Sequence, residues 1–84
     1  MTREPTLAKL TDPAGSVFFV CYDCPGMTPD RDKATRFASA HVATRAANAA
    51  IYGDPAAFWN SERESAARTR RERRGWTADV EAAQ

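Results

Sequence analysis

An α+β fold, with a short β-hairpin or small antiparallel sheet followed by an αα-hairpin, is predicted by three features of this chain. Ser16–Tyr22 is a β-branched and aromatic run bounded by turn residues, the composition of a strand. Thr28-Pro29-Asp30 opens an alanine-rich stretch in the manner of a helix start. Gly53-Asp54-Pro55 then divides that stretch from an arginine-rich one, as a helix stop followed by a new start.

Taken in order, Thr6–Thr11 is expected to be a short edge strand, and Asp12-Pro13-Ala14-Gly15 a tight turn. Ser16–Tyr22 completes a hairpin over residues 6–23. Alternation places Phe18, Val20 and Tyr22 on one face and Val17, Phe19 and Cys21 on the other, so a strand covered on both sides is expected. Cys24-Pro25-Gly26-Met27 should end it.

Helix 1 is expected over residues 29–52, with Thr28 as N-cap. At helical spacing Ala34, Phe37, Ala38, His41, Val42, Ala49 and Tyr52 gather on one side, the predicted buried face. Arg45 intrudes on that face. Ala40, Ala43, Ala47 and Ala50 make the other side small, open to close approach by another backbone. Helix 2 is expected over residues 55–74, stopping at Gly75, with Trp76 folding back and residues 76–84 forming a frayed tail. Phe18, Val20, Phe37, Val42, Phe58 and Trp59 are expected to share one core.

Composition bounds the possibilities further. The 84 residues suit one small domain, 1–84. Hydrophobic residues make up 43% of the chain, but 17 of them are alanine, so the eight aromatics must supply much of the burial. Partner-assisted stability or a homodimer is consistent with so small a core. The longest strongly apolar run, Val17–Cys21, is far too short for a membrane span, and the first residues lack the apolar stretch of a signal peptide. A cytoplasmic location with no membrane partner is therefore expected.

Net charge is +1, yet its distribution is uneven. Up to residue 61 the charges cancel. Residues 62–74 then hold Arg63, Arg68, Arg70, Arg71, Arg73 and Arg74 against Glu62, Glu64 and Glu72. Arg63, Arg70, Arg71 and Arg74 fall on one side of the predicted helix, beside Ala67, while Glu64 and Arg68 have the spacing of a favourable i,i+4 pair. Such a side suits phosphates through counterion release, or an acidic protein surface through bidentate carboxylate bonds. A solvated helix face held by its own ion pairs is the plainer alternative. With Trp76 beside them, Arg63, Arg70, Arg71 and Arg74 are the candidate partner-binding residues.

Cys21-Tyr22-Asp23-Cys24 is a C-x-x-C at a strand end, a spacing compatible with zinc. His41 is the one classical third ligand, and a fourth would have to come from Asp23, Asp30 or a second chain. A zinc-bridged dimer through Cys21, Cys24 and His41 is thus a minor alternative to two reduced thiols packed as small hydrophobes. His41 has no sequence-placed nucleophile or acid pair beside it. No catalytic set, cofactor or metal site is assigned.

The length, the absence of a catalytic set, the Ala/Arg-rich composition and the strand-then-helix order of Ser16–Tyr22 and 29–52 resemble small phage or mobile-element proteins, including anti-CRISPR inhibitors. That resemblance implies a non-catalytic, stoichiometric inhibitor of a host protein or nucleoprotein complex, acting by protein–protein interaction in the host cytoplasm. DNA-mimicking inhibitors are acidic and this chain is not, so it would engage an acidic patch, or the RNA or DNA of the complex. The alternative is a small nucleic-acid-binding or regulatory module that uses the arginine helix directly.

Overall fold

In the computed structural model, which describes residues 5–23, 26–53 and 60–83, a four-stranded antiparallel sheet carries two helices, an α+β architecture as predicted. The strands are β1 (Thr6–Thr11), β2 (Val17–Cys21), β3 (Gly26–Thr28) and β4 (Thr77–Ala82), in spatial order β3-β2-β1-β4. The helices α1 (Ala40–Tyr52) and α2 (Asn60–Glu72) lie between β3 and β4 in the sequence.

The hairpin forms for the reasons its sequence offers. Gly15 turns at φ 91°, a left-handed value that glycine adopts without steric cost. The Asp12 carboxylate accepts from the Ala14 and Ser16 amides at 3.0 and 2.8 Å, closing the loop locally. Register follows, with Leu10 opposite Phe18 and Lys9 opposite Phe19. β2 is an interior strand with Val20 and Cys21 both buried, in keeping with its two apolar faces.

β1 is not the edge strand expected from its sequence. It pairs with β2 on one side and, from Thr6↔Ala82 to Thr11↔Thr77, with β4 on the other. The segment 76–84 is accordingly no frayed tail: Thr77–Ala82 forms the strand that closes the sheet. Nor does Gly26-Met27 merely end β2, since Gly26–Thr28 returns alongside it as β3.

Two devices occupy the outer edge of β4. The Asp79 carboxylate accepts from the Val80 amide at 2.8 Å, and the Arg31 guanidinium donates to the Ala82 carbonyl at 2.6 Å. Because Ala83 donates its amide inward to Pro5, alternation points the Val80 and Ala82 backbone groups outward. Groups that would otherwise template another strand are thereby engaged within the chain.

Helix 1 starts at Ala40, eleven residues later than expected from the sequence. Thr28 and Asp30 do act as caps: Thr28 Oγ1 accepts from the Asp30 amide at 3.1 Å, and Asp30 Oδ1 accepts from the Asp32 amide at 3.0 Å. They serve only a single 3-10 turn, Arg31–Lys33. Ala34 then takes an extended conformation, Thr35 donates its amide to the Val20 carbonyl, and Phe37 forms a bridge with Thr6 through two 2.9 Å hydrogen bonds. Residues 35–37 thus complete the sheet between the end of β2 and the start of β1. Ser39 caps α1 afresh, its side chain accepting from the Val42 amide at 3.3 Å.

The face that α1 buries is also the reverse of the one expected. Ala43, Ala47 and Ile51 are buried against β1 and β4, with Ala46 and Ala50 partly covered. His41 and Arg45 are exposed, as are Val42 at 44% and Tyr52 at 55%. Small side chains let α1 sit close to the sheet, so contact with Ala8, Leu10, Val20 and Phe37 is reached through alanine. Val42 consequently leaves the predicted core, whereas Val20, Phe37 and the partly buried Phe18 belong to it. Phe58 and Trp59 lie outside the described residues. The opposite sheet face carries a smaller cluster of Leu7, Phe19, Ala34 and Ala83.

α2 packs against α1 and ends at Glu72, followed by a turn through Gly75. Gly53 makes the approach of the two helices possible. Its φ is +83°, and a Cβ there would lie 2.5 Å from the Ala66 Cβ and 2.7 Å from its Cα. A side chain would face both a strained backbone and a backbone obstacle.

Three stability measurements follow from this packing. Phe37→Ala should cost about 3–5 kcal/mol in denaturant unfolding, and a loss below about 1 kcal/mol would remove Phe37 from the core. Gly53→Ala should cost about 2–4 kcal/mol, by combining positive-φ strain with overpacking; an unchanged midpoint would mean that the helices separate freely. Ala47→Leu should cost about 1–3 kcal/mol while Val42→Ser stays within about 0.5–1 kcal/mol, and the opposite ranking would return the buried face of α1 to the Val42 side.

Candidate functional site

The arginine-rich segment becomes a concavity because α2 ends beside the C-terminus of α1. Arg70, Arg71, Arg73, Arg74, Tyr52 and Trp76 line a hollow of about 530 Å³, floored by Ile51 and Ala67. Of the expected partner-binding residues, Arg70, Arg71, Arg74 and Trp76 are brought together here. Arg63 is exposed farther back on α2 and does not line the hollow.

Local contacts hold two of the cations. Arg70 Nη1 donates to the Tyr52 carbonyl at 3.2 Å, placing a positive charge on an acceptor in the last turn of α1, where the helix dipole favours it. The Arg73 guanidinium lies over the Trp76 ring, 4.7 Å from its centroid. Trp76 in turn packs on Phe18, with ring centroids 5.5 Å apart, at the margin of the core. The indole therefore acts as a shelf that fixes Arg73. Arg73 is not among the residues expected from the sequence; its place in the hollow depends on the turn after Glu72, which the charge run does not reveal.

Among the described residues no acidic side chain lines the hollow. The expected Glu64–Arg68 pair does not form, and among the described residues the only ion pair is Arg31 with Glu81, 3.5 Å apart on the opposite side of the sheet from α1. A concave group of guanidiniums without carboxylates attracts an anion and offers bidentate donors to phosphate or carboxylate oxygens.

A second hollow, of about 510 Å³, adjoins the first at Tyr52. Tyr22, Val42, Arg45, Ala46 and Ala49 line it with Tyr52, so the outward stripe of α1 forms its floor. Tyr22 is 68% exposed and meets Phe37 edge-on at 5.7 Å. Val42, Ala49 and Tyr52 belong to the helix face expected to be buried; they line this hollow instead because the opposite face of α1 meets the sheet.

Among the described residues, Cys21 and His41 belong to no metal-ligating cluster. Cys21 is buried and donates its thiol to the Lys33 carbonyl at 3.1 Å, a contact that ties β2 to the 3-10 turn. His41 is exposed on α1, and Cys24 lies outside the described residues. Among the described residues no three His, Cys, Asp or Glu side chains cluster as a metal site would require. No described helix is long and apolar enough to cross a membrane. No family model, curated protein or solved structure matches this chain.

Proposed function

We propose that this chain is a non-catalytic binding protein whose arginine-rich face engages a polyanionic partner, of the kind a host nucleoprotein complex presents. The observation that carries this reading is the hollow formed by Arg70, Arg71, Arg73 and Arg74, with no carboxylate lining it among the described residues. A solvated helix face stabilised by its own ion pairs would show those pairs, and the described part of α2 has none. The finer reading, a stoichiometric inhibitor of the anti-CRISPR kind, rests on the compositional resemblance and on the same face occluding a nucleic-acid surface or blocking assembly. A zinc-bridged dimer has less support, since Cys21 is buried on a backbone carbonyl and His41 is exposed on α1.

Charge reversal tests the reading. Arg70→Glu with Arg74→Glu should weaken binding to heparin or nucleic acid at about 50 mM salt by more than about 2 kcal/mol, roughly 30-fold. Unfolding should shift by about 1 kcal/mol or less, because both side chains are exposed and only one hydrogen bond, to the Tyr52 carbonyl, is lost. Equal affinity of variant and parent would show that the arginine face is an ordinary solvated surface. Capture of a partner from a host lysate, with and without nuclease, then separates protein from nucleic-acid tethering.

A further inference from the structure

Tyr52 ends α1 at the rim shared by the two hollows, and the described charged residues lining both are all arginines: Arg45 on one side of it and Arg70, Arg71, Arg73 and Arg74 on the other. The two exposed tyrosines differ from Trp76 in one respect. Trp76 is engaged by Phe18 and Arg73, whereas Tyr52 is 55% exposed, and Tyr22 is 68% exposed with only an edge-on ring contact. Free aromatic faces therefore stand beside cations on an open floor of Val42, Ala46 and Ala49.

We propose that the two hollows form one groove for single-stranded nucleic acid, in which Tyr22 and Tyr52 stack bases while Arg45, Arg70, Arg71 and Arg74 hold phosphates. The proposal rests on the arginine face being a polyanion site and names the polyanion. Charge complementarity selects the occupant: a strand of phosphates meets five guanidiniums and, among the described residues, no lining carboxylate. The apolar floor separates single strand from duplex. A duplex keeps its base faces stacked inside and would set phosphates against Val42 and Ala49, whereas an open strand turns its bases to the tyrosines and leaves its phosphates to the arginines. An acidic peptide would satisfy the cations but has no planar groups to match two exposed rings. Stacking on tyrosine tolerates any base, so little sequence preference is expected.

Fluorescence anisotropy with labelled dT12, the same-length duplex and a 12-residue polyglutamate tests this on the whole chain. The expected order is dT12 tightest, with a salt slope near −3 if four arginines contact phosphate. Tyr52→Ala and Tyr22→Ala should each weaken dT12 binding by about 5-fold or more while leaving the salt slope unchanged. Tyr52→Phe should retain affinity and Tyr52→Leu should lose it, which separates an aromatic plane from apolar bulk even where the alanine variant folds poorly. Equal binding of dT12 and duplex with silent tyrosine variants, or tighter binding of polyglutamate, overturns the single-strand groove and leaves the arginine site standing. Silent Arg70→Glu and Arg74→Glu substitutions, or no binding to any polyanion, would instead remove the arginine site itself.

Discussion

The pairing of the first strand with the last is the constraint on which the rest of this structure depends. β1 is hydrogen-bonded along its whole length to β4, more than sixty residues away in the chain, while its other side is shared between β2 and the Phe37 bridge. Everything from Tyr22 to Trp76 must therefore leave from one side of β1 and return to the other. The chain does so across one face of the sheet, and α1 is the element that crosses. Ala8, Leu10, Val80 and Ala78 present that face to α1, and the alanines of α1 allow a close fit. Long-range pairing of this kind brings its reward only after a long loop has closed, an entropy cost that the buried core must offset.

Alanine packing on the sheet has a consequence at the opposite side of α1. A helix with two apolar faces can bury only one of them on a single sheet, and here the smaller face is chosen. Val42, Ala49 and Tyr52 are thereby left outward, next to the arginines of α2. The tight fit that stabilises the sheet and the apolar floor that adjoins the basic hollow thus arise from one choice of helix rotation. α2 adds little apolar area of its own, with Ala66 its one buried residue among those described, and that residue rests against Gly53. The basic helix is held by its fit to α1 and to the Trp76 turn.

The parts of the fold legible in the sequence were those set by local chemistry. The Asp12–Gly15 turn, the β2 strand and its two faces follow from dihedral preference, side-chain capping and alternation within a few residues. The start of α1 was misplaced for an instructive reason: the Thr28-Pro29-Asp30 caps are real, but Phe37 gains a backbone bridge to Thr6 and burial in the core, and this outweighs helix propagation from a single 3-10 turn. β4 was illegible because Thr77–Ala82 contains Ala, Asp and Glu, poor strand formers whose pairing is decided by the distant β1. At the candidate site the arginine cluster was visible as a charge run. Its concavity was not, since it depends on where α2 meets the end of α1, and neither was the exposure of Tyr52, which follows from the rotation of α1 on the sheet.

Grouping four guanidiniums in one hollow works against folding through mutual repulsion, and the structure shows how that cost is limited. Arg70 lies on a carbonyl at the negative end of the α1 dipole, and Arg73 lies over an indole anchored in the core, so two of the four charges have partners that are not carboxylates. A carboxylate would neutralise an arginine and compete with any incoming anion. A carbonyl dipole and an aromatic face orient the guanidinium while leaving its net charge in place. Holding cations in position without cancelling them reduces the ordering cost of binding, because fewer side-chain rotamers remain to be fixed when an anion arrives. The same elements that close the fold, the end of α1 and the turn into β4, therefore also preorganise the basic hollow. Binding there should in turn stabilise α2, since a ligand with affinity for the folded state alone adds its binding free energy to the weak packing of that helix on α1.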